Sequence, residues 1–261
     1  AAHARDEVWQ RGRRAPGDAR RTFRRSRQQS RCRRSCLFRG PAVTCQGLLD
    51  INVAQILIAF IVLLFSLTVH ETAHAWTADR LGDPTARRLG RVSLNPIVHI
   101  DPIGTIVFPL IALASHVPLI GWAKPVPVTS SRLGHPRRDF VVVAAAGPAS
   151  NLIMAFGAAI VLAVLPVSPV VLGEPNVSVP IASLLNSAIQ LNLLLAVFNM
   201  IPIPPLDGGN VLAGLLPLQL SRQFDRIRPY GVLLIYALIL TDGYYYLVIA
   251  PYRFLRSWLP S

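Results

Sequence analysis

An apolar run covers residues 51–69 and ends in a His-Glu-x-x-His motif formed by His70, Glu71 and His74. A helix needs roughly 20 apolar residues to cross a bilayer, and ionisable side chains are costly there, so the motif indicates a functional site. In a helix, His70 and His74 leave the same face one turn apart, which suits two nitrogen ligands on one zinc ion. Glu71 is then placed to take a proton from a water molecule at the metal.

Further apolar runs predict a membrane protein. Hydrophobic residues make up 52% of the chain and charged residues 15%. Four segments approach or exceed the length of a membrane span, namely residues 51–79, 140–166, 183–201 and 230–249. We therefore predict an all-α polytopic membrane protein with about four transmembrane helices, embedded in the lipid bilayer.

Residues 1–47 differ in composition from the rest of the chain. Residues 1–40 contain 13 arginines and three acidic residues, so they carry +10 of the formal net charge of +13. This segment has too few apolar residues to form a core, and we predict a disordered tail (1–47) before a membrane-embedded domain (48–261). It lacks regularly spaced aromatic residues for base stacking, so we expect no nucleic-acid partner.

The distribution of basic residues predicts the topology. Connections 80–102, 121–139 and 210–228 are basic, whereas 167–182 has no Lys or Arg. By the positive-inside rule the three basic connections share the cytoplasmic side. This requires residues 103–120, which contain Gly104, Pro109 and Pro118, to form a re-entrant hairpin. The alternative is that 103–120 spans the membrane once, which would leave 121–139 outside.

This topology brings a third candidate ligand to the histidines. His74 and His70 lie five and nine residues before Asp79, or roughly 8 and 13 Å from that end of the helix. The third span returns to the same side and is broken by prolines just before Asp207. Two His nitrogens, one Asp oxygen and one water make a tetrahedral site for one Zn²⁺ per chain.

The motifs together resemble those of the site-2 protease family of intramembrane zinc metalloproteases, peptidase family M50. The resemblance covers about residues 50–230 and looks like the short branch without PDZ or CBS domains. The matching pieces are residues 70–74, the Gly-Pro-Ala-Ser-Asn stretch at 147–151, and residues 199–209.

The resemblance implies a three-helix zinc metalloprotease core in which His70, His74 and Asp207 bind zinc and Glu71 is the general base. It implies hydrolysis of peptide bonds in transmembrane substrates near the cytoplasmic face, in regulated intramembrane proteolysis. Asn199 matches a position that holds the substrate backbone. We expect a multi-pass protein of the bacterial cytoplasmic membrane with its active site near the cytoplasmic side.

Three further polar residues have two interpretations each. Asn151 lies on a helix rich in small residues, where it either joins two helices by a hydrogen bond or supports the zinc site. His99 and Asp101 either support or gate the site, or serve as a cap and a turn in a polar loop. The extended, proline-rich residues 121–128 are a candidate edge for pairing with a substrate strand.

Two other functions compete with the protease. One is a non-catalytic relative that binds membrane proteins, but such a protein has no need for Glu71 as a base. The other is a metal-ion transporter, since His and Asp in membrane spans also mark ion paths. A transporter would spread its ligands along a path, whereas the predicted ligands here converge at one depth.

Overall fold

The computed structural model describes residues 53–108, 111, 123–165 and 178–259. All of these belong to one compact unit, Asn52–Ser261. The predicted tail, all three cysteines and most of the predicted re-entrant hairpin lie outside the described residues.

The described elements are helices and helical turns, without a β-strand among them. The α-helices are α1 (Val53–Arg80), α2 (Thr85–Arg88), α3 (Pro136–Val164), α4 (Ser178–Asn199), α5 (Asp207–Leu215), α6 (Leu218–Asp225), α7 (Gly231–Ile239) and α8 (Ala250–Arg256). Short 3₁₀ turns occupy Pro96–Val98, Ser130–Arg132 and Arg228–Tyr230, and π-helical turns occupy Pro102–Val107 and Tyr245–Ile249.

Three helices, namely α1, α3 and α4, are long and apolar enough to cross a membrane. The all-α polytopic fold class is therefore confirmed. The fourth predicted span, residues 230–249, is not a continuous helix, because α7 has only nine residues and ends before Thr241, Asp242 and Gly243. Nine residues of α-helix extend about 14 Å, well short of the hydrocarbon thickness of about 30 Å.

The spans show the two kinds of face that a membrane bundle requires. Leu57, Ile61 and Phe65 are spaced four residues apart on α1 and are more than half exposed, as suits a face turned to lipid. Small side chains on α3 are buried instead, and Ala155 and Ala159 form a core with α4. Small residues let helix backbones approach closely in lipid, where the hydrophobic effect does not drive helices together.

Helix α3 packs against α1, α4 and α5 and is the centre of the bundle. Its direction follows from two contacts, since His74 on α1 lies beside Val143 and His70 lies beside Asn151. Residue numbers thus rise along α1 as they fall along α3, so the two helices are antiparallel. The C-terminal end of α1 and the N-terminal end of α3 therefore lie at the same end of the bundle.

The basic connections also meet at this end. The Lys124 backbone N–H donates to the carbonyl oxygen of His99 at 2.9 Å, so the two ends of the segment between them lie side by side. A single membrane crossing would separate those ends by about 30 Å, so the single-span alternative is wrong. Arg137 donates to the carbonyl oxygens of Gly214 and Leu216, which brings the later basic connection to the same end.

Candidate metal centre and active site

Three potential ligand atoms converge between α1 and the start of α5. The Nε2 atoms of His70 and His74 are 3.1 Å apart. Asp207 Oδ2 lies 3.1 Å from His70 Nε2, and Asp207 Oδ1 lies 3.4 Å from His74 Nε2. In a tetrahedral zinc site with bonds of 2.0–2.1 Å, neighbouring ligand atoms are about 3.3 Å apart. Each of these three distances is therefore close to the separation of two ligand atoms on one zinc ion.

The two histidines occupy one buried face of α1. His70 is 4% exposed and His74 is 8% exposed. Their four-residue spacing puts the rings one turn apart, and the ring planes stand at 84° to each other. The four-residue spacing of the His-Glu-x-x-His motif thus brings the two Nε2 atoms together, as the sequence predicts.

Asp207 reaches the histidines because the chain folds back tightly after α4. A Cβ atom on Gly208 would lie 2.2 Å from the carbonyl oxygen of Met200, and one on Gly209 would lie 2.6 Å from the backbone nitrogen of Pro204. Both glycines lie in the first turn of α5 rather than in the turn before it. They let α5 begin directly against the connection that follows Asn199.

The protonation of His74 is set by a backbone group of α3. Its Nδ1 lies 2.7 Å from the carbonyl oxygen of Val143, which can only accept a hydrogen bond. The Nδ1 atom therefore carries the ring proton, and in the neutral ring the Nε2 atom presents a lone pair. This is the form in which histidine binds a metal.

Gly147 of α3 faces the same cluster. A Cβ atom on this residue would lie 2.4 Å from His74 Nε2 and 2.6 Å from His70 Nε2 and Cε1. Such distances are shorter than any normal contact of a Cβ atom, so a side chain here would force the imidazole rings to move. The absence of a side chain at 147 gives the two imidazole rings the space in which they converge.

The Asp207 side chain is ionised at neutral pH. Burial by itself raises the pKa of Asp207, but the contacts with His70 and His74 outweigh it and lower the pKa to about 2. Its Oδ2 atom is buried and lacks a hydrogen-bond donor of acceptable geometry. An ionised carboxylate with an unpartnered oxygen beside two imidazoles fits a divalent cation, so these residues fit zinc.

Glu71 lies beside the cluster and contacts the extended segment 123–129. Its Oε2 atom accepts a hydrogen bond from the Val126 backbone N–H at 3.1 Å. This contact orients the carboxylate and leaves Oε1 as its second acceptor.

The extended segment is fixed at two more points. The Lys124 N–H donates to the carbonyl oxygen of His99, and the Thr129 N–H donates to Asp83 Oδ2 at 2.6 Å. Asp83 is fully buried and also accepts the backbone N–H and the hydroxyl of Thr85. Burial raises the pKa of Asp83, but these hydrogen bonds and the charge of Arg132 outweigh it and lower that pKa.

The segment's hydrogen-bonding edges differ. The N–H groups of Lys124 and Val126 are used within the protein, and Pro125 and Pro127 have no N–H to offer. At Pro125 and Pro127 the opposite edge can therefore only accept hydrogen bonds. Pairing of this segment with a substrate strand stays a prediction.

The four support residues predicted from the sequence have different surroundings. Asn151 is fully buried, with its Nδ2 atom 3.2 Å from His70 Nδ1. His99 Nε2 lies 2.9 Å from the carbonyl oxygen of Ser93, which also accepts the hydroxyl of Thr72, the residue after Glu71. His99 therefore holds its loop beside Glu71.

The positions of the other two predicted support residues, Asp101 and Asn199, do not by themselves indicate a role at the site. Asp101 accepts the backbone N–H groups of Ile103 and Gly104 at 3.0 and 2.8 Å, which are the contacts of an N-cap. Asn199 is the last residue of α4 and is half-buried. Its predicted contact with a substrate backbone stays a prediction.

Sequence reasoning missed two contributors to the site and did not identify the role of a third. The Val143 carbonyl and the Val126 N–H belong to the backbone, so no residue type marks them. Gly147 is marked in the sequence only as the first residue of the Gly-Pro-Ala-Ser-Asn stretch, whereas in the structure it accommodates the two histidine rings. The spacing of Val143, Gly147 and Asn151, four residues apart on one face of α3, is the pattern that could have revealed a common role.

Comparisons with known proteins agree with this geometry. The family model for peptidase family M50 matches residues 166–241. "Putative zinc metalloprotease YwhC" of Bacillus subtilis (strain 168) is 39% identical over 181 residues, which cover 69% of this chain and 79% of that protein. "Putative zinc metalloprotease Rip2" of Mycolicibacterium smegmatis is 28% identical over 185 residues, which cover 69% of this chain and 65% of that protein, slightly less than two thirds. No solved structure matches the chain. The chain therefore belongs to peptidase family M50, the site-2 protease family.

Proposed function

We propose that this protein is an intramembrane zinc endopeptidase that hydrolyses peptide bonds of transmembrane substrates near the cytoplasmic face. The observation that carries the proposal is the convergence of His70, His74 and Asp207 at the spacing of zinc ligands, with Glu71 adjoining them. The names of the relatives as zinc metalloproteases support the same reaction class.

The residues divide the chemistry between them. His70, His74 and Asp207 would hold one zinc ion through two imidazole nitrogens and a carboxylate oxygen. Bound zinc supplies a Lewis acid that polarises the scissile carbonyl and activates water. Glu71, with Oε2 held by Val126, takes the proton of the attacking water on Oε1 and delivers it to the leaving amine.

The location of the site supports a substrate that comes from the membrane. Two of the candidate ligands, His70 and His74, lie on the spanning helix α1, near the end where the basic connections gather. By the positive-inside rule that end is cytoplasmic, and the bacterial relatives make the cytoplasmic membrane the expected location. A transmembrane substrate has to unwind before its backbone reaches the metal, and Asn199 and the extended segment 123–129 are the candidates to hold it.

The two competing functions have less support. Among the described residues, His, Cys, Asp or Glu side chains converge as a possible metal site in a single group, His70, His74 and Asp207. Ligands gathered in one cluster favour catalysis over transport of an ion along a path. A non-catalytic binding protein would not require a carboxylate at residue 71 oriented beside those ligands.

The experiment compares the wild type with Glu71→Gln in detergent, with bound zinc and cleavage of a model transmembrane substrate measured for both. Loss of a general base lowers the rate by about 10²–10⁴-fold, while zinc content should stay at one per chain. Asp225→Asn is the control, because Asp225 pairs with Arg228 in an exposed ion pair. Unchanged cleavage by the Gln variant would contradict the protease proposal.

A further inference from the structure

Asn151 is a buried side chain of α3 that contacts the candidate ligand His70. It is completely buried, and its amide nitrogen lies 3.2 Å from His70 Nδ1. Its Oδ1 atom is buried too and has no hydrogen-bond partner. The amide has the same shape after rotation by 180°, so either its nitrogen or its oxygen can face the ring.

The two orientations of the amide select different tautomers of His70. With the nitrogen facing the ring, Nδ1 accepts a hydrogen bond and the proton of the neutral ring lies on Nε2, pointing at Asp207. With Oδ1 facing the ring, Nδ1 donates the proton and Nε2 presents a lone pair. The second orientation is the one in which His70 can bind a metal, and it also provides a donor for the buried Oδ1 atom.

The second histidine shows the same arrangement with a fixed partner. His74 Nδ1 faces the carbonyl oxygen of Val143, which cannot change from acceptor to donor. An Oδ1 atom at residue 151 would give His70 an equivalent acceptor from the same helix, on the other side of Gly147.

We propose that Asn151 is a positioning residue that holds His70 in its metal-binding tautomer by accepting the Nδ1 proton on Oδ1. This inference rests on the proposed function, because it assigns Asn151 a role toward the zinc ion. Partners of this kind behind a ligand histidine typically change metal affinity by about 10–100-fold when removed.

The test measures the zinc dissociation constant by chelator competition on the full chain in detergent. Asn151→Leu removes both polar atoms at similar size, and Asn151→Asp keeps only acceptors. We expect the Leu variant to bind zinc about 10–100-fold more weakly and the Asp variant to stay within about tenfold of the wild type. Asn192→Leu is the matched control, since Asn192 is equally buried and donates to Ala188 of its own helix.

The outcomes separate this inference from the proposed function. Wild-type affinity in Asn151→Leu, or equal losses in the Leu and Asp variants, would overturn the role of Asn151 while leaving the protease proposal intact. A wild-type protein that binds no zinc would overturn both. Melting of the metal-free variants should match that of the metal-free wild type, and a general loss of folding in both variants would show a purely structural role instead.

Discussion

Gly147 has no room for a side chain beside the two histidines, and we expect the alanine variant to lose most of its zinc affinity. The added Cβ would lie 2.4 Å from His74 Nε2 and 2.6 Å from His70 Nε2, whereas ordinary contact begins at 3.4 Å. The nitrogen atoms would have to withdraw by 1.0 Å (3.4 minus 2.4) and 0.8 Å (3.4 minus 2.6).

These displacements exceed what a zinc site accommodates. Ligand distances in zinc sites vary by only about 0.2 Å, so a shift several times larger removes at least one ligand. Since loss of a supporting partner already weakens binding by about 10–100-fold, loss of a ligand should weaken it by about 100-fold or more. A factor of 100 corresponds to about 2.7 kcal/mol.

The control for this substitution lies on the same helix. A Cβ atom on Gly157 would meet no atom within 4 Å, so Gly157→Ala should leave zinc binding unchanged. Replacing a helical glycine with alanine in open space stabilises a helix by about 0.5–1 kcal/mol. Zinc content and affinity are measured for both variants by metal analysis and chelator competition. Equal zinc affinity in the two variants would refute the steric reasoning.

Three further outcomes follow from other contacts. Val126→Pro removes the N–H that holds Glu71 and should lower the rate of substrate cleavage by about tenfold or more. Val128→Pro removes no described hydrogen bond and should lower that rate less. Equal cleavage rates in the two variants would speak against the role of Val126 in holding Glu71. Asp83→Asn should lower the melting temperature at pH 7. Because folding lowers the pKa of Asp83, the difference in melting temperature between wild type and variant should shrink as the pH falls below about 4. A difference in melting temperature that is constant with pH would contradict this. Zinc at 100 times its dissociation constant should stabilise the folded protein by about 2.7 kcal/mol relative to chelator-treated protein, which raises the melting temperature. An unchanged melting temperature would contradict a metal held by the folded bundle.

The cluster of His70, His74 and Asp207 could be predicted from the sequence because its chemistry depends on residue type and helix geometry. A four-residue spacing fixes the relation of the two histidines on any α-helix. The prolines before Asp207 mark the end of α4 equally clearly, since proline cannot continue a helix interior. What the sequence left open was whether residues 103–120 cross the membrane, and a backbone hydrogen bond from Lys124 to His99 excludes a single crossing.

The remaining parts of the site could not be predicted, for physical reasons. The carbonyl of Val143 and the N–H of Val126 are present in every residue except for the N–H of proline, so their use leaves no mark in composition. The prediction of a continuous fourth span at residues 230–249 was wrong for a different reason. Residues 230–249 are apolar enough on average, but a polar turn at Thr241 and Asp242 divides them, and hydropathy averaged over a long window conceals such a break.

Helix α3 supplies none of the three candidate ligands, yet three of its residues determine how the two histidines are oriented and how closely they approach. Val143, Gly147 and Asn151 lie four residues apart, so they form one stripe that faces the antiparallel α1. The Nε2 atoms of both histidines point at the middle of this stripe, where Gly147 leaves space, and the Nδ1 atoms point at its two ends. Each residue of a helix is rotated by about 100° from the previous one, so a one-residue insertion between 147 and 151 would turn Asn151 away from His70 while leaving α1 and Asp207 unchanged. The register between α1 and α3 is therefore as necessary to the candidate metal centre as His70, His74 and Asp207 themselves.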